Sequence, residues 1–194
     1  HGYEGFGPEE PGLKGPGAAP FDRITGRNVT TRDAEKMPCF RAVFELLESS
    51  GKAVLAEAVP RRSPRLSRLP TAAGLRREHR DMLEHAEPLL YETSENPILR
   101  WDGEDLEKAA EAAGVNRTQT RYMRTEEQRT IRAEDAERWF TLSDGEGIRT
   151  PADAVKAAGF SDADLRGLRE EIMRILAGQT VDWYTEYCII MMEK

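Results

Sequence analysis

Between Pro60 and Arg80 the chain carries seven arginines, Arg61, Arg62, Arg65, Arg68, Arg76, Arg77 and Arg80, against the single acid Glu78. That window is +6 in a chain whose formal net charge is −7, which leaves −13 for everything else. Guanidinium groups grip phosphate oxygens bidentately, so a basic patch on an acidic protein suits a local polyanion contact rather than general polyanion binding. Arg61, Arg62, Arg65 and Arg68, on a loop rich in serine and proline, are the candidates for nucleic-acid or phosphate contact, and DNA is the partner they suggest. The competing reading is a solvated loop and helix face. Few aromatic residues lie near in sequence, which speaks against a single-strand stacking platform.

A second candidate is Asn28, at the tip of an apolar-to-polar stretch, because ligands of open α/β sheets bind at the carboxyl ends of strands. Its alternative is a turn residue that tolerates unusual dihedrals. His79 and His85 lie six apart on one predicted helix and so on different faces, which speaks against a two-histidine metal site and leaves them as solvated side chains. No metal set is predicted. Cys39 and Cys188 lack metal-ligand spacing and read as free core thiols. There is no Gly-x-Ser-x-Gly nucleophile elbow. Trp101, Trp139 and Trp183 read as structural anchors.

The element that must position these residues is Gly51-Lys-Ala-Val-Leu-Ala-Glu-Ala-Val-Pro60. From Ala53 to Ala58 its only polar side chain is Glu57, as expected of a central strand buried on both faces. Before it, Phe21 to Val29 reads as a short strand, with Thr30 and Thr31 as N-cap candidates for a helix over Asp33 to Ser49. Phe40, Val43, Phe44 and Leu47 give that helix one apolar face, and Gly51 supplies its stop. The resulting strand-helix-strand unit is of right-handed α/β type.

Beyond Pro60 the arginine-bearing loop runs to Pro70. A helix over Ala72 to Ala86 then packs Leu75, Met82, Leu83 and Ala86, and Pro88 ends it. Asp102 caps a helix through Ala113 that Gly114 closes. Thr118 to Met123 alternates like a half-exposed strand. A helical insertion over about 132–178 follows, with a short helix near Glu134 to Phe140, a loop containing Asp144, a helix capped by Thr150 with Pro151 in its first turn, and a last helix opened by the capping box Ser161 to Asp164. Val181 to Met192 reads as a final strand.

At 194 residues, 39% hydrophobic and 32% charged, the chain suits one soluble domain, with residues 21–194 as the domain and the glycine- and proline-rich residues 1–20 as a linker or arm. No run approaches the roughly 18 apolar residues of a membrane span and no secretory signal opens the chain, so the expectation is a cytoplasmic protein without a membrane partner.

Taken in order, these elements resemble the C-terminal half of a class I S-adenosylmethionine-dependent methyltransferase. Phe21-Asp-Arg-Ile-Thr-Gly-Arg-Asn-Val29 resembles the fourth strand of that sheet, Gly51 to Glu57 the fifth, and Trp183 to Met192 the antiparallel seventh. A narrower resemblance is to the methyltransferase-like domain fused behind the RarA-type AAA+ recombination ATPase of some bacteria. It is carried by Phe21 to Asn28, Val54 to Arg61 with Arg65 and Leu66, Trp101-Asp102, Arg138-Trp-Phe140 and Ala177 to Trp183.

The resemblance implies an α/β fold with a partial Rossmann-like, mostly parallel sheet and an antiparallel last strand. It implies S-adenosylmethionine as the cofactor, facing Gly26, Asn28 and Val29. The glycine-rich turn and acidic strand end that hold this cofactor have no counterpart here, and Gly26 to Thr30 stands where an Asn-Pro-Pro-aromatic signature would fall. The expected function is therefore a truncated or degenerate methyltransferase-like accessory domain in bacterial DNA replication or recombination maintenance. The alternatives are an active methyltransferase completed by sequence outside this chain and a non-catalytic protein-interaction domain. Its own missing N-terminal half, an AAA+ ATPase or a second copy are the implied partners.

Overall fold

A computed structural model describes residues 20–92, 96–115, 117–144 and 148–194. The strands β1 (Phe21–Arg27), β2 (Leu47–Ala58), β3 (Arg117–Thr130) and β4 (Thr180–Glu193) form one sheet in the order β1-β2-β4-β3. β1 lies parallel to β2, with Ile24 opposite Ala53 and Arg27 opposite Ala56. β4 lies antiparallel to β2, with Ala53 opposite Met192 and Ala58 opposite Tyr187. Gln128 meets Asp182 and Thr130 meets Thr180, so β3 and β4 run in opposite directions. The antiparallel last strand is as expected, but the sheet is mixed rather than mostly parallel, because β4 sits inside it and turns both of its ladders antiparallel.

The central strand is present, but it is not buried on both faces. Gly51, Ala53, Leu55 and Glu57 are buried while Lys52 and Val54 are exposed, the alternation of a strand covered on one side. Its polar exception, Glu57, is fully buried. Gly51 is no helix stop, because β2 has already begun at Leu47. It lies where the β1–β2 register shifts, and a Cβ there would sit 2.8 Å from the Phe21 carbonyl oxygen, so the close approach requires glycine.

The helices are α1 (Met37–Leu46), α2 (Arg77–Tyr91), α3 (Gly103–Ala112), α4 (Ala133–Trp139), α5 (Pro151–Ala157) and α6 (Asp162–Leu176). Three of them begin with reciprocal capping boxes, Asp102 with Asp105, Thr150 with Asp153 and Ser161 with Asp164. Each cap is worth about 1 kcal/mol of helix stability. Thr30 and Thr31 cap nothing: α1 starts at Met37, behind Lys36, which makes no side-chain cap. α2 starts later than the sequence suggests, after a 3-10 turn over Pro70–Gly74, and it continues through Pro88 to Tyr91 because Leu90 is drawn into the core.

The chain folds as two compact units. One takes residues 20–58, Asp102–Met123 and Tyr187–Lys194. In it α1 packs on β2 and α3, burying Phe40, Leu47, Leu55, Leu106 and Ile190. The other takes Val59–Trp101 and Arg124–Glu186, and so contains the arginine loop and the helical insertion. There α2 packs on α5, and α6 on α4 and α5, around Leu83, Ile131, Leu168, Ile172 and Leu176. Trp101 is buried, and Trp139 stacks on Trp183 with ring centroids 6.2 Å apart, so the tryptophans serve packing. The expected arm falls outside the described residues except for Pro20, and residues 145–147 of the loop containing Asp144 do so too. Among the described residues no helix is long and apolar enough to cross a membrane.

Candidate nucleic-acid interface

Loop 59–76 is built by alternation between anchored and exposed side chains. Val59 donates its amide to the Glu186 carbonyl, Pro60 opens a 3-10 turn, and Leu66 and Leu69 drop into the core. Ser67 is pinned by its amide and hydroxyl to the buried Glu87 carboxylate on α2. Burial pushes the Glu87 carboxyl up, against the Ser67 and Leu66 hydrogen bonds that pull it down. With Leu66, Ser67 and Leu69 turned inward, Arg61, Arg62 and Arg68 are left on the exposed side.

Arg65 differs from these three. Its guanidinium lies 4.1 Å from the centroid of the Tyr91 ring and donates to the Ser63 and Arg61 carbonyls at 2.9 and 3.0 Å. Only 12% of its side chain is exposed. A desolvated cation over an aromatic ring is worth on the order of 1–2 kcal/mol, so Arg65 is the clamp that shapes the loop. Tyr91 in turn has its phenol pushed up to about 12, by burial first and then by the nearby Glu87 charge.

Arg61, Arg62, Arg65 and Arg68 line one cleft of about 250 Å³ together with Arg124, Tyr184, Glu186 and Glu92. The structure thus brings together all four predicted contact residues and adds a fifth arginine from β3. Sequence reasoning misses Arg124, Tyr184 and Glu186, because the β3–β4 register alone sets Arg124 across from Glu186. The Arg124 guanidinium lies 4.1 Å over the Tyr184 ring and 3.4 Å from a Glu186 carboxylate oxygen, and the Arg62 guanidinium donates to the other Glu186 oxygen at 2.8 Å. Five arginines against two carboxylates leave the cleft positive. Its volume is below the ~300–1,000 Å³ of cofactor pockets, and its walls are charged, so it suits a phosphate group.

The other three arginines of the basic window lie elsewhere. Arg77 pairs with Asp81 on its own helix, and Arg76 with Glu78 and Glu171. His79 is not solvated as expected: it is buried, with Nδ1 donating to Glu171 at 2.5 Å and Arg76 at its other ring nitrogen. Burial raises the Glu171 carboxyl, yet the His79 hydrogen bond, the Arg76 amide and the neighbouring charges hold it below its usual range. His85 meets the Phe160 ring edge-on. Among the described residues no group of His, Cys, Asp or Glu converges as a metal site. Neither Cys39 nor Cys188 forms a disulfide.

At the tips of β1 and β2 the candidate cofactor residues are engaged with one another and with Glu57. Asn28 adopts the left-handed conformation, φ 54°, and its Oδ1 accepts the Ala58 amide at 3.0 Å. Val29 and Thr30 donate their amides to the Glu57 carboxylate at 2.8 and 3.0 Å, and the Thr31 hydroxyl does so at 2.8 Å. Gly26 faces the Val29 and Leu55 side chains, which a Cβ would strike. Lys36 donates to the Thr30 and Asp33 carbonyls, and burial pushes its ammonium down to about 8 against the raising charges of Glu57 and Asp33. The Val29 and Thr30 amides, the Thr31 hydroxyl and the Asn28 side-chain oxygen of this turn thus close on the sheet itself.

No protein-family model matches the sequence, and no curated protein does either. Among solved structures, the chain is similar to a candidate methyltransferase of Bacillus halodurans and to the YcgJ protein of Bacillus subtilis, each at 12% identity and a TM-score of 0.42, over 94% of this chain and 68% of the other. It is also similar to phosphoethanolamine N-methyltransferase 2 of Haemonchus contortus, which was solved with phosphomonomethylethanolamine and S-adenosylhomocysteine, at 14% identity and a TM-score of 0.31, over 88% of this chain and 33% of that one.

Proposed function

We propose that the chain is a methyltransferase-like accessory domain that holds the phosphodiester backbone of DNA in its arginine cleft and serves bacterial DNA replication or recombination maintenance. The observation that carries the DNA reading is the convergence of Arg61, Arg62, Arg65 and Arg68 with Arg124 on one cleft, with Arg65 locked as its support. The methyltransferase-like reading is supported by the parallel pair β1–β2 followed by the antiparallel last strand β4. An accessory rather than catalytic role fits the turn at Asn28, whose polar groups are spent on β2 and Glu57.

The test is fluorescence anisotropy with a labelled DNA duplex over a salt series. Each phosphate neutralised contributes about 0.9 to the slope of log affinity against log salt. Charge reversal at the exposed Arg61 and Arg68 leaves the Arg65 clamp untouched, so it should lower the slope by about 0.9 for each phosphate that is no longer neutralised. Arg77→Glu, whose side chain is 88% exposed and outside the cleft, should leave the slope unchanged. An equal fall in slope for Arg77→Glu, or an unchanged slope in the cleft variants, would return the arginines to a solvated surface.

A further inference from the structure

Within the cleft, Glu186 is placed as an anion would be. Its side chain comes off β4 directly opposite Arg124 on β3, and its carboxylate spans the gap between two guanidiniums, 2.8 Å from Arg62 and 3.4 Å from Arg124. The Glu186 side chain is only 14% exposed, whereas those of Arg62 and Arg124 are 41% and 51% exposed. Two arginines from separate elements thus converge on one oxygen pair, the geometry by which guanidiniums bind a carboxylate or a phosphate alike. The second carboxylate of the cleft, Glu92, lies differently: its side chain is 57% exposed and stands 3.8 Å from the clamp Arg65.

We infer that Glu186 is the specificity residue of the cleft, a resident counter-anion that a DNA phosphate must displace from Arg62 and Arg124. This inference rests on the DNA-binding reading above. A single small anion exchanging for Glu186 replaces one negative charge by another at the same two guanidiniums and gains little. A polymeric phosphate gains there the same, and its neighbouring phosphates also reach Arg61 and Arg68 on the exposed side of the same cleft. The carboxylate therefore sets a threshold that admits a run of phosphodiesters and rejects lone phosphate. Val59 donates to the backbone carbonyl of Glu186, so changing its side chain leaves that strand contact in place.

The experiment compares the wild-type chain with Glu186→Gln, using a labelled DNA duplex as the probe and inorganic phosphate as competitor at constant ionic strength. Glu186→Gln keeps the shape and an oxygen acceptor but removes the charge. A partly exposed ion pair is worth up to about 1 kcal/mol, which corresponds to about fivefold in affinity, so the variant should bind the duplex about fivefold more tightly. Its salt slope should steepen by about 0.9, because a carboxylate no longer offsets one phosphate contact. Inorganic phosphate should compete with DNA on the variant and not on the wild type. Glu186→Ala should gain affinity in the same direction, which separates the charge from any effect of the amide. Equal affinity and equal phosphate competition in wild type and variants would overturn the inference while leaving the cleft as a DNA site. Absence of duplex binding by every protein would overturn the DNA-binding reading and this inference with it.

Discussion

Replacing Glu57 by alanine should cost the fold more than any other single change at the strand tips. Glu57 has no solvent exposure, and its carboxylate accepts three hydrogen bonds, from the Val29 amide at 2.8 Å, the Thr30 amide at 3.0 Å and the Thr31 hydroxyl at 2.8 Å. Alanine leaves the two backbone donors without an acceptor, at roughly 1–3 kcal/mol each. It also removes the strongest of the negative charges that favour the buried Lys36 ammonium. These effects overlap, and breaking a buried charged network typically costs about 3–5 kcal/mol in all. Against a stability of about 5–15 kcal/mol, that is about a fifth or more. Glu57→Gln keeps one acceptor but turns an NH₂ toward a backbone N–H, so about 2 kcal/mol is expected, and Thr31→Val, which removes a single hydroxyl, should cost about 1 kcal/mol. Urea unfolding followed by far-UV circular dichroism reads the series as a falling midpoint at constant slope. A destabilisation below about 1 kcal/mol for Glu57→Ala would refute the reading of this turn as a network closed on one carboxylate.

Two further outcomes follow from titrating groups. The Glu171 carboxyl is held below its usual 4.5, so its contribution is present above that pH and lost as pH falls through the lower folded value; Glu171→Gln should therefore reduce stability at neutral pH and flatten the acid limb of a stability-against-pH curve below about 4.5. Burial, with the Asp33 and Glu57 charges, pushes the Cys39 thiol up to about 12, so at pH 8 it should react with iodoacetamide at least about tenfold more slowly than a free thiol, a difference that disappears in urea.

What is legible in the sequence, and what is not, divides along physical lines. The starts of α3, α5 and α6 are readable because a capping box is local: Asp102, Thr150 and Ser161 each need only a partner three residues on. The boundary between α1 and β2 is not, since Leu47 fits the apolar face of a helix as well as the first inward position of a strand. Its pairing with Phe21, far away in sequence, decides for the strand. Pro88 misleads in the same way, because a proline near a helix end is tolerated once Leu90 is buried beyond it. His79 looks solvated on an arginine-rich helix, and only its partner Glu171 on α6 makes its burial possible.

The candidate site shows the same division more sharply. Four arginines within eight positions announce themselves by density, but density does not say which of them face solvent. Arg65 is consumed by Tyr91 and two carbonyls, while Arg61 and Arg68 face outward, a distinction made by the inward turn of Leu66 and Leu69. Arg124 is one charge among many on the polar β3 and Glu186 one acid on the largely apolar β4, and they acquire meaning only through a cross-strand register. A net charge of −7 points away from DNA for the chain as a whole. Electrostatic attraction at contact distance, however, is set within about a Debye length of ~8–10 Å. Among the residues that line the cleft the arginines outnumber the acids, and Glu186 is bound to the guanidiniums that a phosphate would need.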